Sequence, residues 1–425
     1  MKTATTPPTV PEIENKEIGA YGLGYFGYNL GAAGLMTYLT FFYTDYMLIP
    51  AASVAFILLV SRLLDGATDL FLGVLIDRTT SKHGKARPWL MWMILPAVIS
   101  VSLLYYVPNI SESGRVIYAF VTYNMVAFFY LTCLALPMQA LVALLTPNFQ
   151  KRISLSTVGA VFNTLAAVFI NMYARPIMAA FGGEAVGMWR FFTLMAIIGG
   201  ALIFLCFYFT KERVARKVKK EEKVPTGLAF KALIANKYWW VITVLQLVTS
   251  LVPAMWGATV YYARYILGDP GLVGPIMSLL WGGITVGIFL FLPVTRKIGK
   301  RNSAFIGMSL QVLGSVVLWL NPTSALYLWI STVFRSVGPA AMIAAGNAMR
   351  ADTVEYGEWK TGIRNEGMIY SGASFGMKVG SGIGAAILAA LLARGGYVGG
   401  LDIQSPSAME AIKTAFIVVP FIGSS

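Results

Sequence analysis

The sequence predicts an all-α polytopic membrane protein, and three observations predict it: composition, recurring apolar runs and the placement of the basic residues. Of 425 residues, 57% are hydrophobic and 12% charged, with a mean hydropathy of +0.68. That balance lies outside the range of ordinary soluble domains. Apolar runs of roughly 18 to 28 residues recur between short polar loops, each long enough to cross a hydrocarbon layer of about 30 Å as a helix. They fall near 20–48, 51–76, 89–107, 116–145, 154–182, 191–210, 239–267, 271–294, 303–320, 325–349, 366–393 and from 408 onward. The last supplies only about 13 apolar residues, fewer than a comfortable crossing needs, so the twelfth helix is expected to be truncated.

The net charge of +14 is concentrated in alternate loops. Arg78, Lys82, Lys85 and Arg87 follow the second run, Lys151 and Arg152 the fourth, KERVARKVKKEEK (211–223) the sixth, and Arg296, Lys297, Lys300 and Arg301 the eighth. Basic residues mark cytoplasmic loops, so the charge reads as a topology signal with some attraction to anionic lipid, not as a nucleic-acid surface. The N-terminus and the 211–238 segment are then cytoplasmic, in the inner (plasma) membrane of the cell.

Taken in order, residues 1–19 are polar and Pro-bearing, without the apolar core of a cleavable signal peptide, and read as a cytoplasmic tail. Residues 20–210 form a first six-helix bundle, 211–238 a basic cytoplasmic linker, and 239–425 a second helix bundle. Within the linker, TGLAFKALIANKYWW reads as an amphipathic helix at the membrane interface. The halves echo each other weakly: GVLIDRTTSKHGKARPW after the second run and LPVTRKIGKRN after the eighth are both short basic turns, as parallel repeats require. Gly-rich stretches such as GLGYFGYNLGAAG and SGASFGMKVGSGIG let helices approach closely. Cys133 and Cys206 both fall within spans, and no disulfide is expected. No His/Cys cluster, nucleophile with base or phosphate-cradling loop points to an enzyme, and no repeated filter segment points to a channel.

The chemistry concentrates in SRLLDGATDLFLGVLI, where Asp65 and Asp69 stand four residues apart in an otherwise apolar span. That spacing puts both carboxylates on one helix face, one turn apart, where they repel. At membrane depth the pair needs a proton, a metal cation or a basic side chain to be tolerated. Arg62, three residues earlier, is one candidate neutraliser. Arg335 and Lys378 are also deep in their spans, whereas Arg175 and Arg264 lie near helix ends and can snorkel. Charges from spans two, ten and eleven fit a water-lined cavity where two bundles meet. Around them Tyr28, Asn29, Gln139, Trp256, Tyr261, Asn347 and Tyr370 offer aromatic faces and amides of the kind that bind sugar rings and hydroxyls.

Four motifs carry a family resemblance: YGLGYFGYNLGAAGLMTYLTFFYTD (21–45), RLLDGATD (62–69), GVLIDRTTSKHGKARPW (73–89) and ADTVEYGEWKTGIRNEGMIYSGASFGMKVGSGIG (351–384). With them the chain resembles the glycoside–pentoside–hexuronide:cation symporters, the melibiose permease-like branch of the major facilitator superfamily. The resemblance implies a major facilitator fold of two six-helix bundles, and uptake of a sugar, glycoside or uronide driven by Na⁺ or H⁺ through alternating access. It implies no cofactor, a single small-molecule substrate and a monomer in the bilayer. It places the cation on Asp65, Asp69 and Thr132, to which Thr68 adds a further oxygen; as oxygen ligands these suit Na⁺.

At the sugar site this sequence departs from the melibiose branch. Asn29 and Ala135 stand where carboxylates are expected, Gln139 replaces a stacking Trp, Ala160 an Arg and Ile343 a Trp, while Lys378 is kept. The cavity is therefore more positive, which suits a uronide. Asp77, Arg78, Lys85 and Arg87 in one half, with Glu355, Glu358 and Arg364 in the other, are expected to form gating ion pairs. Some relatives of this branch move lysolipids, so a cation-coupled amphiphile transporter of the same fold is the alternative.

Overall fold

The computed structural model describes residues 12–214, 226–362 and 366–424. The side chains of Asp77, Asn347 and Tyr370 lie outside the described residues, as does Arg364. Helix 1 (Asn15–Phe41) ends in a π turn, Phe42–Tyr46. Helices 2 and 3 span Ala51–Arg78 and Arg87–Leu104. Helix 4 starts at Glu112–Met125, passes through a π segment at Val126–Thr132 and resumes as Ala135–Leu145. Helices 5 and 6 cover Phe149–Ala180 and Glu184–Phe209. A short helix, Thr226–Ala235, precedes helix 7, which runs from Lys237–Ala254 through Ala258–Tyr261 to a π turn at Tyr262–Ile266. Helices 8 to 11 are Val273–Ile298, Lys300–Leu320, Ala325–Thr361 and Glu366–Arg394.

Helix 12 begins at Pro406, with the Ser405 hydroxyl accepting from Ala408 N–H, and continues to Ser424 through a π turn. Its segment Pro406–Gly423 reaches 18 residues and is one of ten described segments long and apolar enough to cross a membrane.

Local chemistry sets these boundaries. Asn148 caps helix 5 by accepting from Gln150 N–H (2.9 Å) and Lys151 N–H (3.3 Å), and Asn236 does the same for helix 7, satisfying donors that a helix start leaves open. The Asn236 amide also donates to the Thr353 carbonyl (2.9 Å), fastening the linker end to helix 10. Helix 1 packs on helix 6 through Gly27 and Gly199, so closely that a Cβ at Gly27 would stand 2.5 Å from the Gly199 carbonyl oxygen. Outward, Phe56, Leu95, Ile117 and Leu320 are exposed, an apolar surface that lipid, not water, solvates.

Helices 1 to 6 pack among themselves, as do 7 to 12, and the two groups meet along helix 2 against 11, helix 5 against 8 and helix 1 against 7. The face bearing residues 79–86, 146–148, 210–214 and 226–236 is the linker side; the opposite face is the far side. On the far side the Asp45 carboxylate, at the end of helix 1, accepts from the Tyr397 hydroxyl (2.8 Å) and from Thr44 (2.7 Å), with Arg264 at 3.8 Å. Thr44 also shares a 2.7 Å hydrogen bond with Tyr261. Thr164 and Thr285 join helices 5 and 8 at 2.7 Å.

Candidate functional site: two carboxylates at the junction of the halves

Asp65 and Asp69 sit on the face of helix 2 that meets helices 4 and 11, Asp65 buried and Asp69 partly so. The Thr132 hydroxyl lies 2.9 Å from Asp65 Oδ1 and 2.9 Å from Asp69 Oδ1. Helix 4 delivers Thr132 there through its π segment. Pro137 lacks an N–H, and its ring crowds the carbonyl of the residue four positions back, Cys133. The helix opens at Cys133–Leu134, and Cys133 N–H closes the wider ring on the Phe128 carbonyl (2.9 Å). Such bulges re-aim one side chain without ending the helix.

A hydroxyl has a single proton and cannot donate to both carboxylates at once. The second contact is satisfied when one acid carries a proton, or when a cation lies against all three oxygens. With both acids ionised, two negative charges within about 6 Å of each other require positive charge nearby. It comes from both halves of the molecule. Lys378, on helix 11, places its ammonium against Asp69 Oδ2 and 3.3 Å from Asp65 Oδ2, and also donates to the Asp65 carbonyl (3.3 Å). Arg62 reaches Asp65 Oδ2 at 3.5 Å and lies 6.0 Å from the Tyr123 ring centre. Gly382 lets helix 11 approach: a Cβ there would stand 2.7 Å from Arg62 Cβ. Asp65, Asp69, Lys378 and Arg62 sum to zero charge when all are ionised, so a further cation fits only as Lys378 withdraws. The Thr68 hydroxyl donates to the Asp65 carbonyl of its own helix (2.9 Å).

The carboxylates and the Thr132 hydroxyl are hard oxygen donors of the kind Na⁺ takes. Thr132→Val keeps the shape and removes the bridging hydroxyl; the expected result is about tenfold weaker cation binding, the size of one lost hydrogen bond to a charge, read by titration calorimetry.

Other residues singled out in the sequence fall in four places. Gln139 lines a groove of about 570 Å³ with Tyr21, Tyr25, Ser156 and Asn163. Tyr28 stacks on Tyr130 at 5.6 Å, and Asn29 donates to the Asn163 carbonyl (2.5 Å), tying helix 1 to helix 5. Trp256 and Tyr261 are buried in the far-side packing, Trp256 edge-on to Trp281. Arg335 does not join the carboxylates: it is buried within the second half, its guanidinium 4.6 Å over the Phe416 ring of helix 12.

Among the expected gating residues, Arg87 and the Lys85 backbone are tied within the first half. Arg87 donates to the Phe207 carbonyl (2.5 Å), while the Glu212 carboxylate accepts from the backbone N–H groups of Lys85, Ala86 and Arg87 (each 2.9 Å). Arg78 and Glu355 are exposed, and Glu358 is half-buried. Glu212 went unnoticed in the sequence because nothing in a run of charges marks which acid folds back. Tyr25, Ser156 and Asn163 were missed because a polar residue in a span carries no sign of the groove it faces.

A family model described as MFS/sugar transport protein matches residues 20–424. This chain belongs to the glycoside–pentoside–hexuronide:cation symporter family of the major facilitator superfamily. The family is one of membrane transporters, not enzymes. Among family members, the isoprimeverose transporter of Lactiplantibacillus pentosus is 34% identical, over 95% of this chain and 85% of its own length. The putative glycoside/cation symporter YagG of Escherichia coli (strain K12) is 29% identical, over 97% and 90%. The nucleoside transporter NupG superposes with a TM-score of 0.68 at 13% identity, covering 96% of each chain, a likeness of fold.

Proposed function

We propose that this transporter couples uptake of a sugar, glycoside or uronide to Na⁺ or H⁺. The observation that carries the reading is the pair Asp65 and Asp69, bridged by Thr132 from helix 4 and neutralised by Lys378 from the opposite half. A coupling cation and Lys378 compete for the same oxygens, so cation binding loosens the tie between helices 2 and 11. That links ion occupancy to how the halves sit, the condition for a coupling free energy between two sites. The related names support a sugar as cargo.

Substrate enters the groove of Tyr21, Tyr25, Gln139, Ser156 and Asn163, where aromatic edges and amides meet ring faces and hydroxyls. The positive-inside pattern makes the linker side cytoplasmic, and the far-side contacts of Asp45 and Thr44 then close the outer face in an inward-facing arrangement. The other arrangement would break those contacts, giving alternating access. The chain works as a monomer in the inner membrane.

Uptake into proteoliposomes of labelled pentosides, glycosides, uronides and a lysolipid, under separately imposed Na⁺ and H⁺ gradients, tests this. Accumulation of one sugar class under one gradient is expected. Uptake of the lysolipid alone, or accumulation indifferent to both gradients, would overturn it.

A further inference from the structure

On the far side, helices 1, 5, 6, 7 and 8 surround a cavity of about 240 Å³, lined by Tyr38, Phe41, Tyr46, Arg175, Arg264 and Val273 among others. It is separate from the carboxylate pair and from the groove of Gln139. At about 30 Å³ per water it has room for one sugar ring and not for an extended glycoside.

Two guanidinium groups from different halves face it. Arg175 has no ion pair or hydrogen bond among the described residues, and Arg264 has only long contacts, 3.8 Å to Asp45 and 3.5 Å to the exposed Asp402. The Asp45 charge is already satisfied by the hydroxyls of Tyr397 and Thr44, which leaves Arg264 capacity for another anion. Tyr38 adds to the cavity wall, and Arg264 lies 5.7 Å over the Phe41 ring. Two planar cations from different halves facing one cavity are the recognition set for a carboxylate.

We propose that this cavity is a second, far-side site for a carboxylated sugar, a hexuronate in particular, held by Arg175 and Arg264 through its carboxylate. The sugar part rests on the transport reading above; the carboxylate part rests on the cavity alone.

Titration calorimetry on the full chain with glucuronate and with glucose, for wild type, Arg175→Gln, Arg175→Lys and Gln139→Ala, tests it. Glucuronate binding is expected to weaken at least tenfold in Arg175→Gln and to recover partly in Arg175→Lys, with any glucose binding unchanged. Absence of glucuronate binding by wild type would overturn the proposal. So would a loss confined to Gln139→Ala, or an equal loss for glucose. Glucuronate binding that depends on Arg175, in a protein that accumulates no sugar, would support this site and contradict the symport reading instead.

Discussion

Asparagine in place of Asp65 or Asp69 is expected to abolish gradient-driven accumulation, lowering the ratio of internal to external sugar to one while exchange of labelled for unlabelled sugar continues. The amide keeps the shape and can still meet Thr132, but it removes one of the two negative charges that hold a cation. At an effective dielectric near 20, each unit charge at 4 Å is worth about 4 kcal/mol, so cation affinity is expected to fall by a hundredfold or more. Folding is expected to survive in each single variant, because Lys378 keeps one carboxylate partner, and a thermal melt of the purified protein checks this. Measured in proteoliposomes, accumulation by either variant at the wild-type level would remove these acids from the coupling.

Lys378→Gln has the second large effect, of opposite sign on the ion. Removing one partner of a buried ion pair costs about 3–5 kcal/mol, and here it leaves Asp69 without the ammonium that touches it. A small cation can repair that loss, whereas in the wild type it must first displace Lys378. The variant should therefore melt lower in a cation-free buffer and recover on adding Na⁺ or acid, with at least tenfold tighter cation binding than wild type. The linkage gives about 2.7 kcal/mol of stabilisation at a hundred times the dissociation constant. A melt in choline chloride against sodium chloride, at two pH values, measures it. Equal cation dependence in the two proteins would mean that Lys378 does not hold the ion's place. Because Lys378 belongs to the second half, the variant should also lose coupling while keeping the ion.

The fold was legible because its signals are long and additive: each apolar run is fixed by roughly twenty residues, and loop charge sets their alternation. Boundaries were less so, as at helix 12, where the Ser405 cap starts the helix at Pro406, just ahead of the run read from 408. Asp65 and Asp69 stood out because acids are costly in a span, and their spacing alone put them on one face. Thr132 came only from resemblance, since its aim depends on a π segment that no periodicity reveals. Arg335 shows the converse: depth in a span marks a residue as costly to bury but not which way it points, and it turns toward Phe416 inside its own half. Lys378 reads in the sequence as part of the sugar site; its place against the two acids follows from the packing of helix 11 on helix 2, a contact between residues more than three hundred positions apart. Asp45 lay in plain view in FFYTD, yet its partners at Tyr397 and Arg264 are also remote in sequence.

A coupling cation is expected to take the oxygens that Lys378 holds. Mass-spectrometric mapping of Lys378 after brief treatment with a small amine-reactive reagent, with and without saturating cation, tests it most directly. Modification of Lys378 is expected to rise on adding the cation, along the same concentration curve as cation binding, and to be independent of cation in Asp69→Asn. Unchanged modification of Lys378 in the wild type, while the cation demonstrably binds, would mean that Lys378 and the ion do not share these oxygens.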